Sequence, residues 1–238
     1  MPPITFYTKW NERPSDFEDK INPLKKFFFI CEGANTESFY FKKLIDIKKQ
    51  VGIHSSIDLI LIEKTGEDRN LSYPKKLVDF AKEKRNYLIK EGLFDSEQDV
   101  MIVTFDLDIF KKKVSHLTSL LDEQDDHLWF GLTYPAFELF LLLHIENSVH
   151  ELIYPNYDKI MNNEKIGNQR PCQYYLREVT NMNSKTNASI GNLATDIEIA
   201  IKQEKEINQK LEKCLTCITS NIASIIEKIQ KEKLPFDI

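Results

Sequence analysis

Four short apolar segments alternate with segments of helical spacing, and this order most constrains the fold. The apolar segments are FFFIC (27–31), IDLILI (57–62), VMIVTF (100–105) and HLWFGLTY (127–134). The intervening segments place apolar residues three and four positions apart, as an amphipathic helix does. Strands that are apolar on both faces and separated by helices are typical of a parallel sheet covered on both sides. We therefore predict an α/β fold with a Rossmann-like, mostly parallel four-stranded sheet flanked by helices.

Composition divides the chain into three parts. Residues 1–24 contain four prolines and no sustained period, so we predict an irregular arm. Residues 25–148 carry the alternating strands and helices of the α/β domain. Residues 149–238 turn first Asn-rich and then strongly charged. They predict a mainly helical C-terminal subdomain, with two helices across 193–233 that break near Ser220.

The overall charge and hydropathy limit the class of protein. Hydrophobic residues make up 42% and charged residues 29% of the 238 residues, which favours a folded globular chain over disorder. No apolar run reaches the roughly 20 residues that span a bilayer, and the N-terminus lacks the pattern of a signal peptide. We therefore expect a soluble, cytoplasmic protein without membrane association. Because the net charge of the chain is −5, we expect it to bind nucleic acid only through a local basic groove.

The cysteines do not predict a metal site. Cys214 and Cys217 form one C-x-x-C pair in a segment of helical pattern, where they would share a helix face. No second Cys/His pair at zinc spacing accompanies them. We expect core packing, and any further role of the pair stays open.

Two aspartates follow the third predicted strand. In DVMIVTFDLD, Asp106 and Asp108 are two positions apart, so an extended chain would project both carboxylates to one side, roughly 6–7 Å apart at Cα. Like charges at that distance repel, and a divalent cation between them relieves the repulsion. Alternatively, this is a polar strand end and Asp108 caps the helix that follows.

A third carboxylate joins them at the predicted edge. Glu32 directly follows the first strand and precedes Gly33, a position with no evident structural task. Because the carboxyl ends of parallel strands share one edge, we expect Glu32, Asp106 and Asp108 to form a catalytic and metal-binding set for Mg²⁺ or Mn²⁺. Such sites are typical of phosphodiester chemistry. The aspartates would hold the ion, and Glu32 would either bind a second ion or act as the general base on the attacking water.

Several other residues have both a structural and a functional interpretation. Glu37 and Glu138 are further candidate metal ligands, or acidic residues that favour helix N-termini. His144 is expected to be a core residue. Four lysines are candidate nucleic-acid contacts, or solvated surface residues: Lys111, Lys112, Lys113 and Lys185.

Three blocks of the sequence resemble the RloB-like group of Toprim-fold proteins. They are FFFICEGANTESFYFKKL, VMIVTFDLD and YPAFELFLLLH, and the resemblance covers mainly residues 25–148. In that group, E-G-x-x-T-E-x-x-Y-F and P-x-F-E-x-x-x-L-L-H blocks recur. Here they correspond to Glu32, Gly33, Thr36, Glu37, Tyr40 and Phe41, and to Pro135, Phe137, Glu138, Leu142, Leu143 and His144.

The resemblance implies a function. RloB-like proteins are associated with bacterial anti-phage defence and abortive infection, and are encoded beside an ABC-type or AAA-type ATPase. By this implication the chain is a Toprim endonuclease, a metal-dependent hydrolase that cuts DNA or RNA. The chain contains no G-x-x-x-x-G-K-[ST] loop, so ATP use would come from the partner.

An alternative from another class of function stays open. The chain could be a catalytically inactive Toprim-like sensor or ATPase-binding module, which would need no metal. The charged C-terminal helices leave a homo-oligomer open as well.

Overall fold

A computed structural model describes residues 5–6, 23–66, 68, 73–112, 114–210 and 213–233. Most of the predicted N-terminal arm lies outside these residues. The strands are β1 (Thr5–Phe6), β2 (Lys25–Cys31), β3 (Ile57–Glu63), β4 (Val100–Asp106), β5 (Leu128–Tyr134) and β6 (Thr219–Ser220). The α-helices are α1 (Thr36–Asp46), α2 (Pro74–Lys90), α3 (Val114–Leu121), α4 (Phe137–Leu142), α5 (Tyr157–Asn162), α6 (Pro171–Thr180), α7 (Ile197–Glu204) and α8 (Ile222–Gln230). Short 3₁₀ and π segments span Asp108–Lys112, Val149–Ile153, Tyr154–Asn156 and Ala188–Asp196.

The strands form one sheet in the order β1-β3-β2-β4-β5-β6. The pairs β2–β3, β2–β4 and β4–β5 are parallel, whereas the two-residue strands β1 and β6 pair antiparallel at the edges. The prediction of a mostly parallel sheet flanked by helices is confirmed. The predicted count of four strands is wrong, because strands of two residues are too short to show a period of their own.

Both faces of the sheet are buried. Phe27 and Phe29 belong to one apolar cluster and Phe28 and Ile30 to another, as expected for successive residues of a strand covered on both sides. Residues of α1, α4 and the C-terminal helices fill the first cluster, and residues of α2 and α3 fill the second. The C-terminal region therefore shares a core with the sheet.

The C-terminal region departs from the predicted pair of long helices. Helix α7 ends at Glu204, and residues 213–218 form turns before β6 and α8. The buried Glu204 carboxylate accepts hydrogen bonds from the backbone N–H groups of Ala223 at 3.0 Å and Ser224 at 2.7 Å. These contacts lie at the start of α8, just after the predicted break near Ser220, but the first predicted helix already ends at Glu204. Cys214 and Cys217 consequently lie in turns, and the prediction of a shared helix face is wrong.

Among the described residues, no helix combines the length and the apolar character needed to cross a bilayer.

The side chain of Asn221 extends the sheet beyond β6. Its Oδ1 accepts from the Leu132 N–H at 2.6 Å, and its Nδ2 donates to the Phe130 carbonyl at 2.9 Å. Asn221→Ala leaves both β5 groups without these partners, so we expect a loss of about 1–3 kcal/mol in the free energy of unfolding, measured by urea denaturation. The matched control Asn86→Ala, at an exposed position of α2, should change it by no more than about 0.5 kcal/mol. Equal effects of the two variants would contradict this role of Asn221.

Candidate active site

Glu32 is held against the end of β4. Its Oε2 accepts a hydrogen bond from the Asp106 N–H at 3.0 Å, and its own N–H donates to the Thr104 carbonyl at 3.0 Å. The parallel register of β2 and β4 places Cys31 opposite Thr104, so the residues that follow meet at one edge. Glu32 and Asp106 therefore lie together, as the sequence predicts.

Asp106 is oriented by the neighbouring strand. Thr133 lies opposite Asp106 in the register of β5, and its hydroxyl donates to Asp106 Oδ1 at 2.6 Å. Burial raises the pKa of Asp106 well above its usual range, and the charges of Glu37 and Glu32 raise it further. The site thus contains more negative charge than its surroundings readily stabilise.

Glu32 titrates near neutral pH. Burial raises its pKa from 4.5 to about 7, against the opposing effect of the hydrogen bond from Asp106, and the charges of Glu37 and Asp108 add to the rise. A carboxylate with such a pKa can accept and return a proton at physiological pH, which is the property required of a general base.

Glu37 lies in the first turn of α1 with 6% of its surface exposed. Its Oε1 accepts from the Gly33 N–H at 3.0 Å, whereas its Oε2 is buried with no hydrogen-bond partner among the described residues. Burial raises its pKa, Lys185 lowers it and Glu138 raises it. A buried carboxylate oxygen without a partner calls for an additional donor or cation.

The contact with Glu37 explains the glycine at position 33. A Cβ atom at Gly33 would lie 2.1 Å from Glu37 Oε2. Any side chain there would displace the carboxylate, so the adjacent Glu32 and Gly33 serve the same site.

Glu138 forms the far side of the acidic cluster. It lies in the first turn of α4, is buried, and accepts from the Ser184 hydroxyl at 2.9 Å. The Lys185 ammonium lies 3.0 Å from the same Glu138 oxygen, and its side chain is half-exposed. Burial lowers the pKa of Lys185, but the charges of Glu138 and Glu37 outweigh it and raise the pKa above its usual value. Lys185 is therefore a resident counter-charge of the cluster.

The segment that carries Lys185 is attached to the start of α1. The Thr36 hydroxyl donates to the Ser184 carbonyl at 3.1 Å, and Asn35 Nδ2 donates to the Lys185 carbonyl at 3.0 Å. The C-terminal region thus supplies Ser184 and Lys185 to the site. The three sequence blocks that resemble the RloB-like group do not indicate this contribution.

Asp108 lies just beyond the end of β4. Strand β4 ends at Asp106 and Leu107 is buried, so Asp108 is exposed and begins the 3₁₀ segment. Asp106 is thus the last residue of the strand, and the expected projection of both carboxylates to one side stays a prediction. The charge of Asp108 raises the pKa of Glu32.

The three lysines after Asp108 and the residue His144 are the last of the predicted candidates. The side chains of Lys111, Lys112 and Lys113 lie outside the described residues. His144 is a core residue: its Nε2 lies 2.9 Å from the Tyr40 hydroxyl, and burial lowers its pKa to about 4.

Reasoning from sequence missed Thr133, Ser184 and Lys64. Lys64 follows β3 directly, and its ammonium donates to the Glu32 carbonyl. Its position after a predicted strand was an available signal. The contacts of Thr133 and Ser184 depend on strand register and on a distant segment, and no local pattern reveals them.

The chemistry of the carboxylate oxygens, and not a ready-made arrangement of ligands, is what suits this site to a divalent cation. Within the described part of the chain, no three His, Cys, Asp or Glu side chains are arranged to hold a metal ion. The buried, partnerless oxygen of Glu37 and the raised pKa values of Glu32 and Asp106 nevertheless fit a hard cation, which favours oxygen ligands and would stabilise their charged forms.

The contact between Gly33 and Glu37 predicts an energetic coupling. Gly33→Ala should lower the free energy of unfolding by roughly 1–2 kcal/mol, because the new methyl group displaces the Glu37 carboxylate and breaks its hydrogen bond. In a Glu37→Ala background the same change should cost less than about 0.5 kcal/mol. Urea denaturation of the four proteins measures the coupling, and additive effects would contradict the contact.

The raised pKa of Glu32 predicts a dependence of stability on pH. Between about pH 4.5 and 7 the folded chain keeps a proton on Glu32 that the unfolded chain has released. The resulting contribution to the free energy of unfolding is fully present below about pH 4.5 and is lost as the pH rises through about 7. Glu32→Gln should therefore be more stable than the wild type by roughly 1–3 kcal/mol at pH 8, with a smaller advantage at pH 5. Denaturation at both pH values measures this, and an advantage independent of pH would refute the shift.

Comparison with known proteins assigns the family. No curated protein and no solved structure matches the chain significantly. Residues 27–229 match the family described as RloB-like protein, a match that includes both the sheet and the C-terminal helices. The chain therefore belongs to the RloB-like family.

Proposed function

We propose that this RloB-like protein is a Mg²⁺- or Mn²⁺-dependent endonuclease of Toprim type that hydrolyses phosphodiester bonds in DNA or RNA. The observation that carries the proposal is the hydrogen bond that joins Glu32, with a pKa of about 7, to the half-buried Asp106 at the carboxyl edge of a parallel sheet. This edge is where α/β proteins bind their ligands. A base that titrates near neutrality beside acidic oxygen ligands is the combination that phosphodiester hydrolysis requires.

The candidate ligands are the carboxylates of the site. Asp106 and Asp108 would hold the cation, and Glu32, Glu37 or Glu138 would complete the set. A bound Mg²⁺ or Mn²⁺ would supply Lewis-acid polarisation of the phosphoryl group and promote ionisation of water.

The side chains of the protein have distinct tasks in this proposal. Glu32 Oε2 is occupied by the Asp106 N–H, so Oε1 is the atom that would take the proton of the attacking water. Thr133 keeps Asp106 in its orientation through the 2.6 Å hydrogen bond. Lys185 would stabilise the negative charge that develops on the phosphoryl oxygens, and Lys111, Lys112 and Lys113 would contact the backbone of the nucleic acid.

The cellular role proposed for the chain follows from its family resemblance. We place it in the bacterial cytoplasm, in anti-phage defence and abortive infection, with an ABC-type or AAA-type ATPase as partner. Because the sequence carries no phosphate-binding loop of the Walker type, the partner would bind and hydrolyse the ATP.

One observation favours a second function. Lys185 already pairs with Glu138, and no three potential ligands among the described residues are arranged around an ion. A lysine that neutralises an acidic cluster suits a site without metal. The alternative is therefore a catalytically inactive Toprim-like sensor or ATPase-binding module.

Cleavage assays with a matched pair of variants test the proposal. The wild type should cleave plasmid DNA or total RNA with Mg²⁺ or Mn²⁺, in the presence of the neighbouring ATPase where one is encoded. Glu32→Gln, which keeps the shape of the side chain but removes the base, should reduce the rate by roughly 10²–10⁴-fold. Glu83→Gln, at an exposed position of α2, should leave the rate unchanged.

The same proteins distinguish the two functions. Calorimetry should detect binding of Mn²⁺ to the wild type and weaker binding to Glu32→Gln. No cleavage and no metal binding by the folded wild type, with the ATPase present, would exclude the nuclease and favour the sensor or ATPase-binding module.

A further inference from the structure

We propose that a cavity beside Glu32 is the subsite for one nucleotide of the nucleic-acid substrate, and that Lys64 binds the phosphate of that nucleotide. This inference rests on the proposed function, because it assigns part of the substrate to the same site. The cavity has a volume of about 320 Å³. Its lining includes Gly33, Ala34, Ser38, Glu63, Lys64 and Thr65.

The cavity lies on the opposite side of Glu32 from Asp106. It opens at the carboxyl ends of β2 and β3, which are parallel neighbours. The Glu32 carboxylate is directed towards β4, where it meets the Asp106 N–H, whereas Lys64 reaches the Glu32 carbonyl from the β3 side. A strand whose scissile phosphate lies at Glu32 and Asp106 would therefore extend an adjacent nucleotide into the cavity.

The size and lining of the cavity suit a single nucleotide. A volume of about 320 Å³ is at the lower end of the range for small-ligand sites, too small for a duplex. The walls combine the exposed methyl group of Ala34 with the hydroxyls of Ser38 and Thr65. Such a wall offers contact area for a sugar or base and hydrogen-bonding groups for its polar atoms.

Lys64 is the cation that the cavity wall offers to a phosphate. Glu63, the acidic residue of the wall, pairs with Lys42 at 2.6 Å, so its charge is compensated. Burial lowers the pKa of Lys64, and the nearby carboxylates Glu37 and Glu32 oppose that effect. An ammonium carries three donors, so a phosphate can bind to Lys64 beside or in exchange for its existing contacts, of which the Glu32 carbonyl is one. A phosphate would in turn favour the charged form of the lysine.

Ser38 connects the cavity to α1. It belongs to the first turn of this helix of 11 residues, whose N-terminal end carries a partial positive charge. The helix thus adds to the attraction that Lys64 exerts on an anion.

Binding without metal tests the subsite independently of cleavage. We would measure the fluorescence anisotropy of short, labelled single-stranded DNA and RNA oligonucleotides in the presence of a chelator. Lys64→Met should weaken binding of the preferred oligonucleotide roughly tenfold and reduce the slope of log affinity against log salt concentration by about one. Lys64→Arg should bind within about threefold of the wild type, because it keeps the charge.

Two further variants complete the design. Lys90→Met removes a charge from the exposed last turn of α2, at the opposite end of the sheet, and should bind as the wild type does. Ala34→Phe fills the mouth of the cavity while Lys64 is retained, and should weaken binding about as much as Lys64→Met. Thermal denaturation verifies that each variant is folded. If Lys64→Met does not fold, binding by Ala34→Phe decides whether the cavity is the nucleotide subsite.

The outcomes separate this inference from the proposed nuclease. Weaker binding by Lys64→Met and Ala34→Phe, without cleavage by any protein, supports the subsite and contradicts the nuclease. Cleavage that depends on Glu32, with oligonucleotide binding unaffected by Lys64→Met and Ala34→Phe, supports the nuclease and overturns the subsite. Absence of oligonucleotide binding by the wild type also overturns the subsite.

Discussion

The parallel pairing of β2 with β4 is the constraint on which the candidate site depends. It brings Glu32 and Asp106 to one edge of the sheet, and the hydrogen bond from the Asp106 N–H to Glu32 joins them. The pairing of β4 with β5 then supplies Thr133 to Asp106, and the pairing of β2 with β3 brings Lys64 beside the Glu32 carbonyl. Each strand of the parallel centre thus contributes one polar group to the same edge, because parallel strands all end there.

The electrostatics of the site follow from crowding acidic groups at that edge. Glu32, Glu37 and Asp106 all have raised pKa values, with burial as the largest cause in each case. Lys185 offsets part of this charge through Glu138. It comes from a segment far along the chain that is fastened to the start of α1, so the C-terminal region takes part in the site as well as in the core. Such clusters of perturbed carboxylates are common at functional sites, which is why we interpret this edge as the functional part of the molecule.

Particular residues show how far reasoning from the sequence extended. Glu32 was identified because it follows an apolar strand and precedes a glycine, and Asp106 because it ends another strand; both signals are local. For Asp108 the local pattern is less informative, because β4 ends at Asp106 and a 3₁₀ segment begins at Asp108, so strand alternation does not fix the direction of this side chain. The turns around Cys214 escape the pattern because the residues there keep helical spacing although α7 has already ended at Glu204.

The sequence by itself determined the layered α/β architecture, the parallel centre of the sheet and the edge at which its carboxylates lie. These follow from the period of apolar residues and from the order of strands and helices, which each segment expresses independently of the others. Only the tertiary structure decided the strand order, the partners of Asp106 and Glu138, and the cavity at Lys64. Those features depend on contacts between residues far apart in the chain, such as Glu32 and Asp106, which are 74 positions apart, and no local pattern of a chain records them.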